Sequence, residues 1–133
     1  MENEKSERQQ KLLNLAQSVF DQLLFDLKWW NVPISESVCP KLGFIDRKDC
    51  YAETCFLKDG RFKVSVSTLL WKEYGRKNLP EALRNVLAHE LLHTCPDCFN
   101  HGTLWKYWAK WLNAEHGFKI NPFPYSAKET ELY

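Results

Sequence analysis

The sequence predicts a single α+β domain, and three features point to it: a long amphipathic helical pattern at the start, short alternating segments between Lys41 and Ser67, and two helical patterns near the end. At 133 residues the chain is long enough for one domain with a substantial core and short for two of ordinary size. The core is expected over about residues 10–120. Residues 121–133 are expected as a loose surface tail, because two prolines and a charged end interrupt apolar periodicity there.

Leu12, Leu15, Ala16, Val19, Leu23, Leu27 and Trp30 recur mostly at intervals of three and four, which predicts a helix from about Glu4 to Trp30, ended by Pro33. From Lys41 to Ser67 the character changes to short runs of Phe, Ile, Val and Tyr, with Asp59-Gly60 as a hairpin signal, so a small antiparallel sheet is expected. Within it, Arg61 to Ser67 (RFKVSVS) alternates polar and apolar residues, the period of a strand with one wet face. Thr68 to Gly75 reads as a short helix. Asn78-Leu79-Pro80-Glu81 then supplies a cap candidate, an early proline and an acidic first turn for a helix from about Pro80 to Thr94. Leu83, Leu87 and Leu91 form its apolar stripe, and Cys95-Pro96 stops it. A last helix, about Thr103 to His116, is closed by Gly117, with Trp105, Trp108, Ala109 and Leu112 on its inner face.

Composition excludes some classes of function. Lys plus Arg number 18 against 17 Asp plus Glu, so no global field draws the protein to nucleic acid or anionic membrane. The polar start MENEKSERQQ is unlike a secretory signal, and no later stretch is apolar for long enough to span a bilayer, which predicts a soluble, cytoplasmic protein. Five cysteines without an export signal are expected as thiols or metal ligands rather than as a disulfide framework.

The chemistry concentrates in one segment. His89-Glu90-Leu91-Leu92-His93 is an HExxH motif on a predicted helix, where a spacing of four sets both imidazoles on one face, one turn apart, able to grip one metal ion. Glu90 follows the first ligand, so its carboxylate can take a proton from metal-polarised water without being a ligand itself. A catalytic zinc typically takes three protein ligands, and His101 is the third candidate, because Pro96 and Gly102 let the chain reverse. His116 sits near a helix C-terminus, where a positive charge suits the dipole, and is given no metal role. Cys95-Pro96-Asp97-Cys98 places a CxxC between the second and third histidines, a spacing found in structural zinc sites and in redox sites. Joined by Cys50 and Cys55 from the sheet, it would make a second, closed thiolate site; the alternatives are buried apolar thiols or a redox dithiol.

The segment HELLHTCPDCFNHGTLW resembles the signature of the SprT-like family of zinc metalloproteases: HExxH, a short loop, a histidine-glycine pair and an aromatic residue, here Trp105. The likeness extends back through the Cys50 and Cys55 segment, a Lys-Asp-Gly hairpin and RFKVSVS to the first helix, over about residues 10 to 120. It implies a minimal zincin-like domain with His89, His93 and His101 on Zn2+ and Glu90 as catalyst. Within that resemblance the 133 residues are expected to correspond to a small member, without the C-terminal zinc ribbon of larger members or the DNA-binding extensions of eukaryotic ones. DNA is thus a partner allowed by the resemblance but unsupported by net charge. The function expected is zinc-dependent hydrolysis of peptide bonds, with protein or peptide substrates added as a strand to a sheet edge for which RFKVSVS is the candidate. The alternative is a non-catalytic, zinc-dependent binding module for protein or nucleic acid, against which the intact Glu90 counts.

Overall fold

The computed structural model describes residues 2–73 and 78–121. The elements run α1 (Glu2–Trp29), β1 (Gly43–Ile45), β2 (Ala52–Phe56), β3 (Phe62–Ser67), α2 (Thr68–Glu73), α3 (Leu79–Leu92) and α4 (Thr103–His116), an α+β arrangement around one small sheet. None of these helices is long and apolar enough to cross a membrane.

On α1 the inward stripe is Ala16, Phe20, Leu23 and Leu27, all essentially without solvent contact, while Leu12, Leu15, Val19 and Trp30 are only partly covered. Phe20 is thus a core residue that the predicted stripe omits. Asn31, not Pro33, ends the helix: its φ of 62° turns the chain left-handed. The Val32 N–H can then donate to the Leu27 carbonyl at 2.9 Å, satisfying one of the helix's last acceptors. Pro33 lies beyond that turn.

The sheet is mixed, not antiparallel, with strand order β1-β3-β2. β2 and β3 form the predicted hairpin, pairing Ala52 with Val66 through Phe56 with Phe62. Gly60, at φ 88°, donates to the Leu57 carbonyl in the tight turn between them, a conformation that glycine adopts without penalty. β1 then joins the far side of β3 in parallel, through Gly43 with Ser65 to Ile45 with Ser67. This overturns two expectations. β3 is the central strand, so RFKVSVS offers no free edge. Nor is one of its faces wet: Val64, Ser65, Val66 and Ser67 are all buried. The Ser67 hydroxyl is tolerated there because it donates to the Arg47 carbonyl.

At the centre of the molecule α3 packs against α1, β2, β3 and α4. Its predicted stripe, Leu83, Leu87 and Leu91, is fully buried, but so are Ala82, Ala88 and Leu92, because the helix is covered on more than one side. Asn78 stands at the cap position without a side-chain cap bond, and Pro80 lies in the first turn. The regular helix stops at Leu92, and the next turns tighten, with N–H groups of Thr94 and Cys95 bonded to carbonyls three residues back.

Gly117 closes α4 in the left-handed conformation as expected, at φ 69°. The chain then returns to the core. The Asn113 side chain bonds both the N–H and the carbonyl of Ile120 at 2.8 Å, and Asn85 accepts from the Lys119 N–H at 2.8 Å. Phe118, Ile120 and Asn121 are consequently buried, so Asn121 belongs to the packed domain rather than to a loose tail. Residues 122–133, where the rest of that tail is expected, lie outside the described residues, as do Tyr74 and Gly75 of the second predicted helix.

Candidate metal centre

Among the described residues, one group of potential ligands converges on a single point: His89, His93 and His101, with one donor atom from each within 4.8 Å of the others. His89 and His93 share a face of α3 because they are one turn apart, and His101 arrives from the loop that leads into α4. That loop reverses direction through Pro96 and through Asp97, whose φ is 59°. The Cys98 N–H bonds the Cys95 carbonyl to close the turn.

The rings are held in place by the backbone around them. His93 Nδ1 lies 3.0 Å from the Cys98 carbonyl oxygen, which can only accept, so this nitrogen carries the proton and Nε2 presents its lone pair. His89 Nε2 and His101 Nε2 approach to 3.0 Å. Burial pushes the pKa of His93 down and that of His101 to about 4, the latter helped by the positive charges of His93 and Lys106. Lowered pKa values favour the neutral form of His93 and His101, the form in which an imidazole can ligate a metal.

Trp105 closes the inner wall. It is wholly buried, its Nε1–H donates to the His89 carbonyl at 3.3 Å, and its ring lies 4.7, 5.6 and 4.6 Å from those of His89, His93 and His101. The core packing expected of this residue thus also places it against all three histidine rings.

Glu90 lies three positions before His93, so the two side chains are neighbours on the helix surface. It is 7% exposed. Burial raises its pKa to about 7; the Thr54 hydroxyl works against that shift and the charge of Glu53 adds to it. Thr54 Oγ1, on β2, stands 3.1 Å from the Glu90 carbonyl oxygen and 3.2 Å from Oε2, tying the sheet to the helix at this position. Thr54 carries no motif, and its relevance depends on a strand-to-helix contact that spacing does not reveal.

The four-thiolate site does not form. Cys55 alternates with Thr54 and Phe56, so it points to the sheet face away from α3 and is exposed, whereas Cys95 and Cys98 are buried beyond the end of α3. All five thiols are free, and burial, more than any other influence, drives the Cys95 pKa up to about 12. Cys95 and Cys98 therefore act as small buried side chains of the ligand-bearing loop. His116 is remote from the histidine cluster in function: its ring stacks on Trp30 with centroids 3.5 Å apart. No protein-family model, curated protein or solved structure matches the chain.

Proposed function

We propose that the chain is a zinc-dependent metallopeptidase with a SprT-like, zincin-like domain, in which His89, His93 and His101 hold the metal and Glu90 is the general base. The observation that supports this most strongly is the convergence of three imidazoles, with a buried carboxylate that is not one of them on the same helix as two of the three. Two nitrogens on one tetrahedral zinc stand about 3.3 Å apart, given zinc–nitrogen bonds of about 2.0–2.1 Å. The His89–His101 separation of 3.0 Å is close to that, and all three donor atoms lie within 4.8 Å of one another, so small ring adjustments would bring the donor set onto one ion. Three protein ligands also leave one position for water or substrate, the pattern of a catalytic rather than a closed structural site.

Bound zinc supplies a Lewis acid that polarises a peptide carbonyl and makes water a better nucleophile near neutral pH. The remaining work belongs to the protein. Glu90 accepts the proton from the attacking water and delivers it to the leaving amine; burial raises its pKa in the metal-free protein, which strengthens it as a base, and a bound dication would draw that value back down. Thr54 steadies that carboxylate, the Cys98 carbonyl fixes the tautomer of His93, and Trp105 shields the back of the site from water. A cytoplasmic setting would keep the free thiols reduced.

The substrate edge in this reading is β2, because among the described strands it pairs only with β3. The bonds from Leu57 N–H to Arg61 and from Ser67 N–H to Tyr51 fix the inward-facing positions of the hairpin. Backbone groups of Ala52, Thr54 and Phe56 must then face outward, ready for an extended peptide. The deciding experiment measures zinc content and cleavage of an unfolded protein by wild type and Glu90→Gln, with and without DNA. The proposal expects one zinc in both proteins and cleavage by the wild type alone. Cleavage that survives in Glu90→Gln, or none by the zinc-loaded wild type, would refute it.

A further inference from the structure

Phe56 is 60% exposed and Phe99 is 59% exposed, an uncommon placement for two phenylalanines in one patch. Phe62 joins them: its ring lies 5.1 Å from Phe56 and 6.4 Å from Phe99. The cluster is contiguous with the metal centre through both elements that carry it. Phe56 stands two residues after Thr54 on β2, so the two share the sheet face that meets Glu90, about 7 Å apart along the strand. Phe62 is the register partner of Phe56 and lies on the same face. Phe99 lies between Cys98, whose carbonyl holds His93, and the ligand His101. One edge strand and one ligand loop thus present an apolar step beside the chemistry.

We propose that Phe56, Phe62 and Phe99 form a specificity subsite that receives a large apolar side chain of an extended peptide substrate. This deepens the peptidase reading and rests on it. A peptide strand added to β2 sets its own side chains opposite those of β2, at the same two-residue spacing. The peptide residue facing Thr54 lies beside Glu90. The residue two positions along faces Phe56, and its side chain enters the gap rimmed by Phe56 and Phe99 and floored by Phe62. A leucine or phenylalanine there covers the exposed rings of Phe56 and Phe99 and the open part of the half-buried Phe62, while serine or aspartate leaves them wet and loses its own hydration. The substrates selected are therefore unfolded or flexible segments that expose apolar side chains.

The test uses the zinc-loaded full chain and a set of fluorogenic peptides in which one position at a time carries Leu, Phe, Ala, Ser or Asp. The wild type should prefer Leu or Phe over Ser at one position by about 10- to 100-fold in kcat/KM, the discrimination that apolar pockets reach. Phe56→Ser combined with Phe99→Ser should remove that preference by lowering kcat/KM for the Leu peptide by about 10-fold or more relative to the Ser peptide. Phe25→Ser, an equally exposed position on α1, should alter neither. Equal losses on every peptide, or a retained preference in the double variant, would overturn the subsite. So would a change in oligomeric state, measured by sedimentation, with the preference intact, since the patch would then serve self-association. Cleavage by the wild type without any preference defeats the subsite alone. Failure of the zinc-loaded wild type to cleave any peptide or unfolded protein defeats the peptidase reading and the subsite with it.

Discussion

Glu90→Gln should stabilise the metal-free protein at neutral and alkaline pH, although Glu90 is the residue on which activity is proposed to depend. Raising its pKa from 4.5 to about 7 means that the folded chain holds the ionised form about 3 kcal/mol less well than the unfolded chain does. The sign follows from proton binding. Between those two values the folded protein keeps a proton that the unfolded chain has released, so stability is greatest below pH 4.5, declines as pH rises toward 7 and is level above it. Glutamine carries no such charge. His101 contributes in the opposite sense, its stability being lost as pH falls from 6.5 toward about 4, but it is present in both proteins and cancels in their difference. Urea unfolding of chelator-treated wild type and Glu90→Gln across about pH 4 to 8 should show the gap widening by about 3 kcal/mol in favour of the variant. Zinc should narrow it, since a nearby dication favours the carboxylate. Parallel stability curves for the two metal-free proteins would refute the assignment of Glu90 as a buried carboxyl held against ionisation.

His101→Ala should lower zinc content measured on purified protein, as a two-histidine remnant leaves too few donors; undiminished zinc would remove His101 from the site. Zinc in the wild type should approach one ion per chain, not two, because Cys55 and the Cys95–Cys98 pair lie on different sides of the sheet; a second tightly held ion would contradict that separation. Thr54→Val should move the acidic limb of the kcat/KM profile to higher pH by about one unit or less, the equivalent of one hydrogen bond of about 0.5–1.5 kcal/mol to Glu90. An unmoved limb would show that the bond is not made during turnover. Trp105→Phe keeps a ring but loses the bond to the His89 carbonyl, and zinc competition should find affinity reduced by about 10-fold or more, with unchanged affinity as the contrary result.

The parts of the fold legible in the sequence are those decided locally. The stripe Leu83, Leu87 and Leu91 and the left-handed close at Gly117 each depend on residues within a turn or two and stand where spacing places them, whereas α3 gives way to tighter turns after Leu92, ahead of Cys95-Pro96. Strand order depends instead on what arrives from elsewhere in the chain. Nothing in RFKVSVS announces that Gly43–Ile45 will pair beside it in parallel, and with that neighbour the strand becomes central. Its serines look like a wet face until Ser67 is seen donating to the Arg47 carbonyl, a contact across 20 residues. Asn31 and Pro33 illustrate the same limit at shorter range: both can end a helix, and Asn31 does so first, through a left-handed turn that a proline ring forbids.

The candidate site divides along the same line. His89 and His93 are visible because helical periodicity converts a spacing of four into a shared face, and His101 because only a short loop intervenes. The groups that would make those ligands selective and poised come from farther away or from the backbone: the Thr54 hydroxyl 36 residues earlier, the Cys98 carbonyl, and the Trp105 indole on the next helix. The tight turns that end α3 serve two purposes at once. They satisfy the last carbonyls of a helix buried against α1, the sheet and α4, and they aim the Cys98 carbonyl at His93. The candidate metal centre is therefore built on the most deeply packed element, while its proposed substrate edge is a strand with one side open. That arrangement supplies rigid ligands where small displacements are costly and an adaptable surface where the peptide must enter.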